Sequence, residues 1–174
     1  YSYATTAAEA KREAQVCLNT IQGKQLEYPV AFDIEERDSL QNADALCKAF
    51  CDAIEAAGYY AAIYTFKSAL EYHLSDSIKS RYDIFLSHIG VNKTNYTGAY
   101  GLWQYSWTGN ISGINGDVDL DCAYRDYPKI IQQAGLNGFQ QTNTTNETTN
   151  SNDEEETPLE QILQHVKSID EKLS

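Results

Sequence analysis

The chain has 174 residues, of which 42% are hydrophobic and 22% charged, enough for one globular domain with a proper core. Its formal net charge is −12, half of it on residues 142–174, and the lack of any basic patch argues against nucleic acid as a ligand. No apolar run reaches the ~20 residues of a membrane span, no signal peptide is visible, and four cysteines without a CxxC pair argue against a disulfide scaffold or a zinc site.

In chain order, Tyr1-Ser2-Tyr3-Ala4 reads as the tail of a strand. Thr6-Ala7-Ala8-Glu9 is a capping box opening a helix to about Gln22, with Gly23 as its stop. Tyr28-Pro29-Val30-Ala31-Phe32-Asp33-Ile34-Glu35 reads as a short apolar strand, about 28–34, that ends in charge. A helix follows from about Asp38 to Ala57, with Leu46, Phe50 and Ile54 at helical spacing and Cys47 and Cys51 packed as small apolar residues. Tyr59–Thr65 is a buried strand. Ser68-Ala69-Leu70-Glu71 suggests a second capping box, and Leu70, Leu74 and Ile78 mark one short helix before a strand at Tyr82–His88. This alternation of helix and strand implies a parallel sheet with helices outside it.

The rhythm then changes. Residues 89–99 form a loop, and Tyr100–Ser106 is a strand rich in aromatics. A turn region over 107–116 leads to Asp117-Val118-Asp119-Leu120-Asp121 with no room for a helix, so the last two strands form a hairpin. A helix near Tyr127–Ala134 ends at Gly135. Most of the thirteen tyrosines are expected in the core. The domain therefore runs over 1–139. Residues 140–157 are polar and acidic and read as a disordered linker. Over 158–174, Leu159, Ile162, Val166, Ile169 and Leu173 mark an amphipathic helix too short to be stable alone, through which weak self-association is expected.

Two constellations carry chemistry. Asp33 and Glu35, two apart on a strand, project to one side, roughly 6.5–7 Å apart along the backbone. Paired carboxylates at a strand's end can have their pKa values driven apart, which suits general acid/base work on a glycosidic bond. An isolated D-x-E is more often a strand leaving into solvent. Asp117, Asp119 and Asp121 likewise share one face; taken alone they fit a wet edge strand as well as a binding face. An EF-hand is excluded, because Cys122 and Pro128 stand where Gly and Glu are needed. Leu102-Trp103-Gln104-Tyr105 offers an aromatic stacking face and an amide for a sugar subsite; a core Trp is the plain alternative. His73 and His88 are read as structural. No cofactor or metal is called for.

Together, Tyr28–Glu35, Ala61-Ala62-Ile63-Tyr64-Thr65, Leu102–Ser106 and Gly116–Asp121 resemble the glycoside hydrolase family 25 lysozymes in motif, order and spacing, over about residues 1–139. The resemblance implies an irregular TIM-like β/α barrel whose last strands are consecutive, without intervening helices. It implies hydrolysis of the β-1,4 bond between N-acetylmuramic acid and N-acetylglucosamine in bacterial peptidoglycan, outside the cell or at its wall. By resemblance Glu35 is the acid/base. Asp33 orients and charge-stabilises the substrate's acetamido group in a substrate-assisted, retaining mechanism, and Asp119 is the acidic residue of the last strand. Tyr64, Trp103, Gln104, Tyr105 and Asp117 would line the groove. Nothing here matches the Gly-Ile-Asp-type first strand of that family, so the barrel is expected to be incomplete, lacking its first two strands. The competing expectation is a non-catalytic peptidoglycan-binding remnant or inactive fragment.

Overall fold

The computed structural model describes residues 1–140. Apart from residue 140, the expected linker over 140–157 and the helix over 158–174 lie outside the described residues. The elements run α1 (Ala7–Ile21), β1 (Val30–Asp33), a 3-10 turn (Ser39–Asn42), α2 (Ala43–Ala56), β2 (Ala61–Phe66), α3 (Lys67–Tyr72), α4 (Asp76–Arg81), β3 (Asp83–Ser87), β4 (Leu102–Gly109), β5 (Val118–Ala123) and α5 (Tyr127–Gln133). The strands form one sheet in sequence order. β1, β2, β3 and β4 pair in parallel, while β4 and β5 form the antiparallel hairpin. The result is a curled half-barrel of five strands.

Local chemistry accounts for most element boundaries. The Thr6 hydroxyl accepts the Glu9 N–H at 3.3 Å and the Glu9 carboxylate accepts the Thr6 N–H at 3.0 Å, which is the reciprocal capping box that starts α1. The second expected box is absent. α3 begins after Phe66 without a side-chain cap. The single helix expected around Leu70–Ile78 is two, because Ser75 breaks the run and its hydroxyl caps the N-terminus of α4.

The two faces of the sheet differ sharply. On the helix side, Phe32, Ile34, Ile63, Ile84 and Leu86 pack with Leu46, Phe50 and Ile54 of α2 and with Leu70 and Ile78, all buried. Phe32 stacks on Phe50 with ring centroids 4.5 Å apart. Cys47 and Cys51 are buried in this layer as free thiols. The inner, concave face carries the alternate residues, Ala31 and Asp33 on β1, and is wet near its rim. The expectation for the tyrosines is corrected: only Tyr60, Tyr82 and Tyr127 are buried, while Tyr1, Tyr3, Tyr28, Tyr72, Tyr105 and Tyr124 are exposed.

The opposite end of the half-barrel is sealed by a small polar knot. The Asp83 carboxylate accepts hydrogen bonds from the Tyr127 hydroxyl at 2.6 Å and the Tyr60 hydroxyl at 3.2 Å, with Arg125 3.8 Å away. Gly101 passes so close that a Cβ there would lie 1.9 Å from the Tyr127 hydroxyl. The outer edge of β1 is met by the N-terminal residues only at Ser2, whose N–H donates to the Asp33 carbonyl at 2.9 Å; Tyr1–Ala4 do not form a strand. Beside that edge lies an open groove of about 500 Å³ between α1 and β1. No helix among the described residues is long and apolar enough to cross a membrane.

Candidate active site

β1 and the extended residues that follow it turn Asp33 and Glu35 away from the core that claims Val30, Phe32 and Ile34. The end of the strand is pinned. The Ile34 N–H donates to the Tyr64 carbonyl at 3.0 Å, and the buried Thr65 hydroxyl donates to the Ile34 carbonyl at 2.5 Å. Asp33 is half-buried, and its Oδ1 is fully buried with no hydrogen-bond partner among the described residues. Burial therefore raises its pKa above the ordinary carboxylate value. Glu35 is raised too, by burial first and then by the negative charges of Asp33 and Glu36. For Glu35 that is the direction a general acid needs.

Across the sheet, Tyr64 stands beside Asp33 in register and meets Phe85 edge-on at 5.0 Å. Its hydroxyl donates to the Gln104 carbonyl oxygen at 2.6 Å, and the Ser87 hydroxyl donates to the same oxygen at 2.9 Å. The Tyr64 pKa is raised chiefly by burial, with the nearby Ser87 hydroxyl working the other way and the charges of Glu35, Asp33 and Asp119 reinforcing the rise. The charges of three carboxylates, Asp33 and Glu35 at the β1 end of the sheet and Asp119 on β5, thus reach one phenol. Asp119 is exposed on β5. Asp121 lies opposite Gln104 and has its pKa raised by burial and by the Asp119 charge.

Asp33, Tyr64 and Gln104 thus share the inner face of the sheet, the first two paired in register and the last two hydrogen-bonded, and the charges of Glu35 and Asp119 reach Tyr64. Asp117 is exposed just before β5. Trp103 is placed differently from the rest. It pairs in register with the buried Leu86, packs against the helix-side core, and its indole N–H donates to the His88 carbonyl at 3.0 Å. Tyr105 keeps company with Trp103, ring centroids 5.8 Å apart. These two aromatics thus sit on the strand face opposite Gln104. Ser87 and Asp121 join the site without having been among the expected residues. Asp121 was visible as the third acid on one face; Ser87 carried no signal. His88 is held by Thr94, its ring nitrogen 2.8 Å from the threonine hydroxyl. Among the described residues no group of three or more His, Cys, Asp or Glu side chains is placed to hold a metal ion.

The chain is similar to several known proteins. The family model for glycosyl hydrolases family 25 matches residues 1–114. An autolytic lysozyme of Clostridium acetobutylicum is 29% identical over 117 residues, covering 66% of this chain and 36% of that protein. The Escherichia coli K12 protein YegX, described as uncharacterized, is 27% identical over 148 residues, covering 82% of this chain and 53% of its own length. The chain thus spans about a third to a half of these curated relatives. Among solved structures, the CTP1L endolysin superposes with a TM-score of 0.63 at 25% identity, over 75% of this chain and 47% of that one. A family 25 glycosyl hydrolase of Streptococcus pneumoniae, GHIP, has the same fold, with a TM-score of 0.61 at 18% identity over 78% of this chain and 62% of that one. With the model matched over residues 1–114 and the half-barrel shared, the chain belongs to the glycosyl hydrolases of family 25.

Proposed function

We propose that this chain is a lysozyme-type hydrolase of bacterial peptidoglycan that cleaves the β-1,4 bond between N-acetylmuramic acid and N-acetylglucosamine, working at the wall outside the producing cell. The observation that carries the reading is the pair Asp33 and Glu35, both half-buried at the C-terminal end of β1 with Asp33 Oδ1 left unpartnered among the described residues, where barrel active sites gather.

In this reading Glu35 gives its proton to the leaving glycosidic oxygen. The substrate's own acetamido carbonyl oxygen closes on the anomeric carbon as the glycosidic bond breaks. Asp33 holds the acetamido N–H and balances the charge that develops on that group. Water then attacks the anomeric carbon, displacing the acetamido oxygen from it and giving its proton to Glu35, and two displacements leave the configuration retained. Asp119 faces the same space from β5, and Tyr64 and Gln104 line it between the two.

Glu35→Gln tests the proposal. The expected result is a loss of at least about 100-fold in clearing of purified cell walls, with binding to those walls kept. Unchanged clearing would remove Glu35 from the acid/base role, and no clearing by the unaltered chain alongside retained wall binding would favour the non-catalytic binder.

A further inference from the structure

We propose that Ser87 is a positioning residue, fixing the Gln104 side-chain amide so that its NH2 group faces the concavity and donates to a carbonyl oxygen of the glycan. The inference rests on the hydrolase reading above and adds a residue and a polarity to it.

The Gln104 carbonyl oxygen takes two hydroxyl donors, Tyr64 at 2.6 Å and Ser87 at 2.9 Å. The 2.6 Å separation suits O–H···O and is short for N–H···O, so the oxygen, not the nitrogen, faces the hydroxyls. Two donors fill both lone pairs of that oxygen. The nitrogen is left over. It has no hydrogen bond among the described residues, yet Asp33 Oδ1 is the one fully buried side-chain polar atom left unpartnered there. The Gln104 residue is 6% exposed, and its free amide nitrogen is the part that reaches solvent.

Register explains why Ser87 holds this post. Phe66, Ser87 and Gln104 lie side by side across β2, β3 and β4, and Ser87 is 8% exposed. A residue lacking a hydroxyl here would leave Tyr64 as the single anchor of the amide. The surroundings also select a donor. Asp33, Glu35, Asp119 and Asp121 already supply acceptors, so the fixed amide is the neutral donor of the groove. The ligand group it takes is an acceptor such as an acetamido carbonyl.

The full chain in a Glu35→Gln background, which cannot turn over, lets binding be read by calorimetry with N-acetylglucosamine tetramer and its de-N-acetylated counterpart. Ser87→Ala is expected to weaken the acetylated tetramer about fivefold, the usual net worth of one hydrogen bond, and to leave the de-N-acetylated one unchanged. Ser87→Thr should restore binding and the isosteric Ser87→Val should not, a pair that still reads if the alanine variant folds poorly. On a Gln104→Leu background Ser87→Ala should add nothing. A full additional loss on that background, or unaltered binding in Ser87→Ala, would overturn the positioning role alone. Failure of the Glu35→Gln chain, with Ser87 intact, to bind either tetramer would overturn the hydrolase reading with it.

Discussion

At the scale of single residues, the site is built at the expense of stability, and Asp33 shows how. A carboxyl whose folded-state pKa lies above its ordinary value of 3.8 binds its proton more tightly when folded. Its contribution is most favourable below the unfolded value and is lost as pH rises through the folded value. At neutral pH the buried, unpartnered Oδ1 is therefore a cost. Asp33→Asn should raise Tm by about 2–4 °C at pH 7 and by almost nothing near pH 3, while wall clearing falls sharply; calorimetric melts at the two pH values check it. The same substitution removes a negative neighbour of Glu35, whose pKa is raised first by burial and then by Asp33. Glu35 should then titrate at lower pH, visible in its carboxyl carbon resonance. An unmoved or raised Glu35 would mean that the two groups do not share a field. Asp33 and Glu35 are legible because a period of two is local. Ser87 is not, because a serine in a strand acquires meaning only from the register of β2, β3 and β4. Trp103 and Gln104 were legible in principle, since neighbours in a strand point opposite ways and cannot both line one face.

At the scale of elements, caps and turns decide how the concave rim is held. The break between α3 and α4 was hidden because Leu70, Leu74 and Ile78 keep helical spacing across it, and all three are buried; the signal was Ser75, a helix cap read as an interior residue. The bulge that shifts register between Gln104 and Ser106 left no mark in the pattern at all. Asn137 is a third hidden device. It is fully buried at φ 54°, its side-chain oxygen accepts the Tyr60 N–H at 2.7 Å, and its amide donates to the Leu26 and Tyr28 carbonyls, each at 2.9 Å. One side chain thus ties the entries to β1 and β2 to the end of the described chain. Asn137→Gly keeps the backbone comfortable and removes the ties, so it should cost about 2–4 kcal/mol of unfolding free energy. Asn137→Ala should cost about 1 kcal/mol more, for the left-handed backbone. Urea melts of the two variants separate the contributions; equal losses would show that the backbone carries no strain.

At the scale of the whole molecule, charge sets the terms on which a half-barrel meets its substrate. The net charge is −12, and Asp119 and Asp121 are exposed on β5 with Asp117 exposed just before it. Walls bearing anionic polymers repel such a surface, and the repulsion reaches as far as the Debye length, about 30 Å at 0.01 M ionic strength and about 8 Å at 0.15 M. Encounter with the wall should therefore limit the rate at low salt and cease to do so near 0.15 M. Clearing of purified walls is expected to rise several-fold over that range. Binding of the neutral N-acetylglucosamine tetramer, which carries no charge to screen, should stay within about twofold. Stripping the anionic polymers from the walls before assay should flatten the salt curve, because the repelling partner is then gone. A wall-clearing rate that instead falls steadily with salt would show an attractive charge contact between chain and wall, one that the acid-lined β5 and the overall charge both argue against.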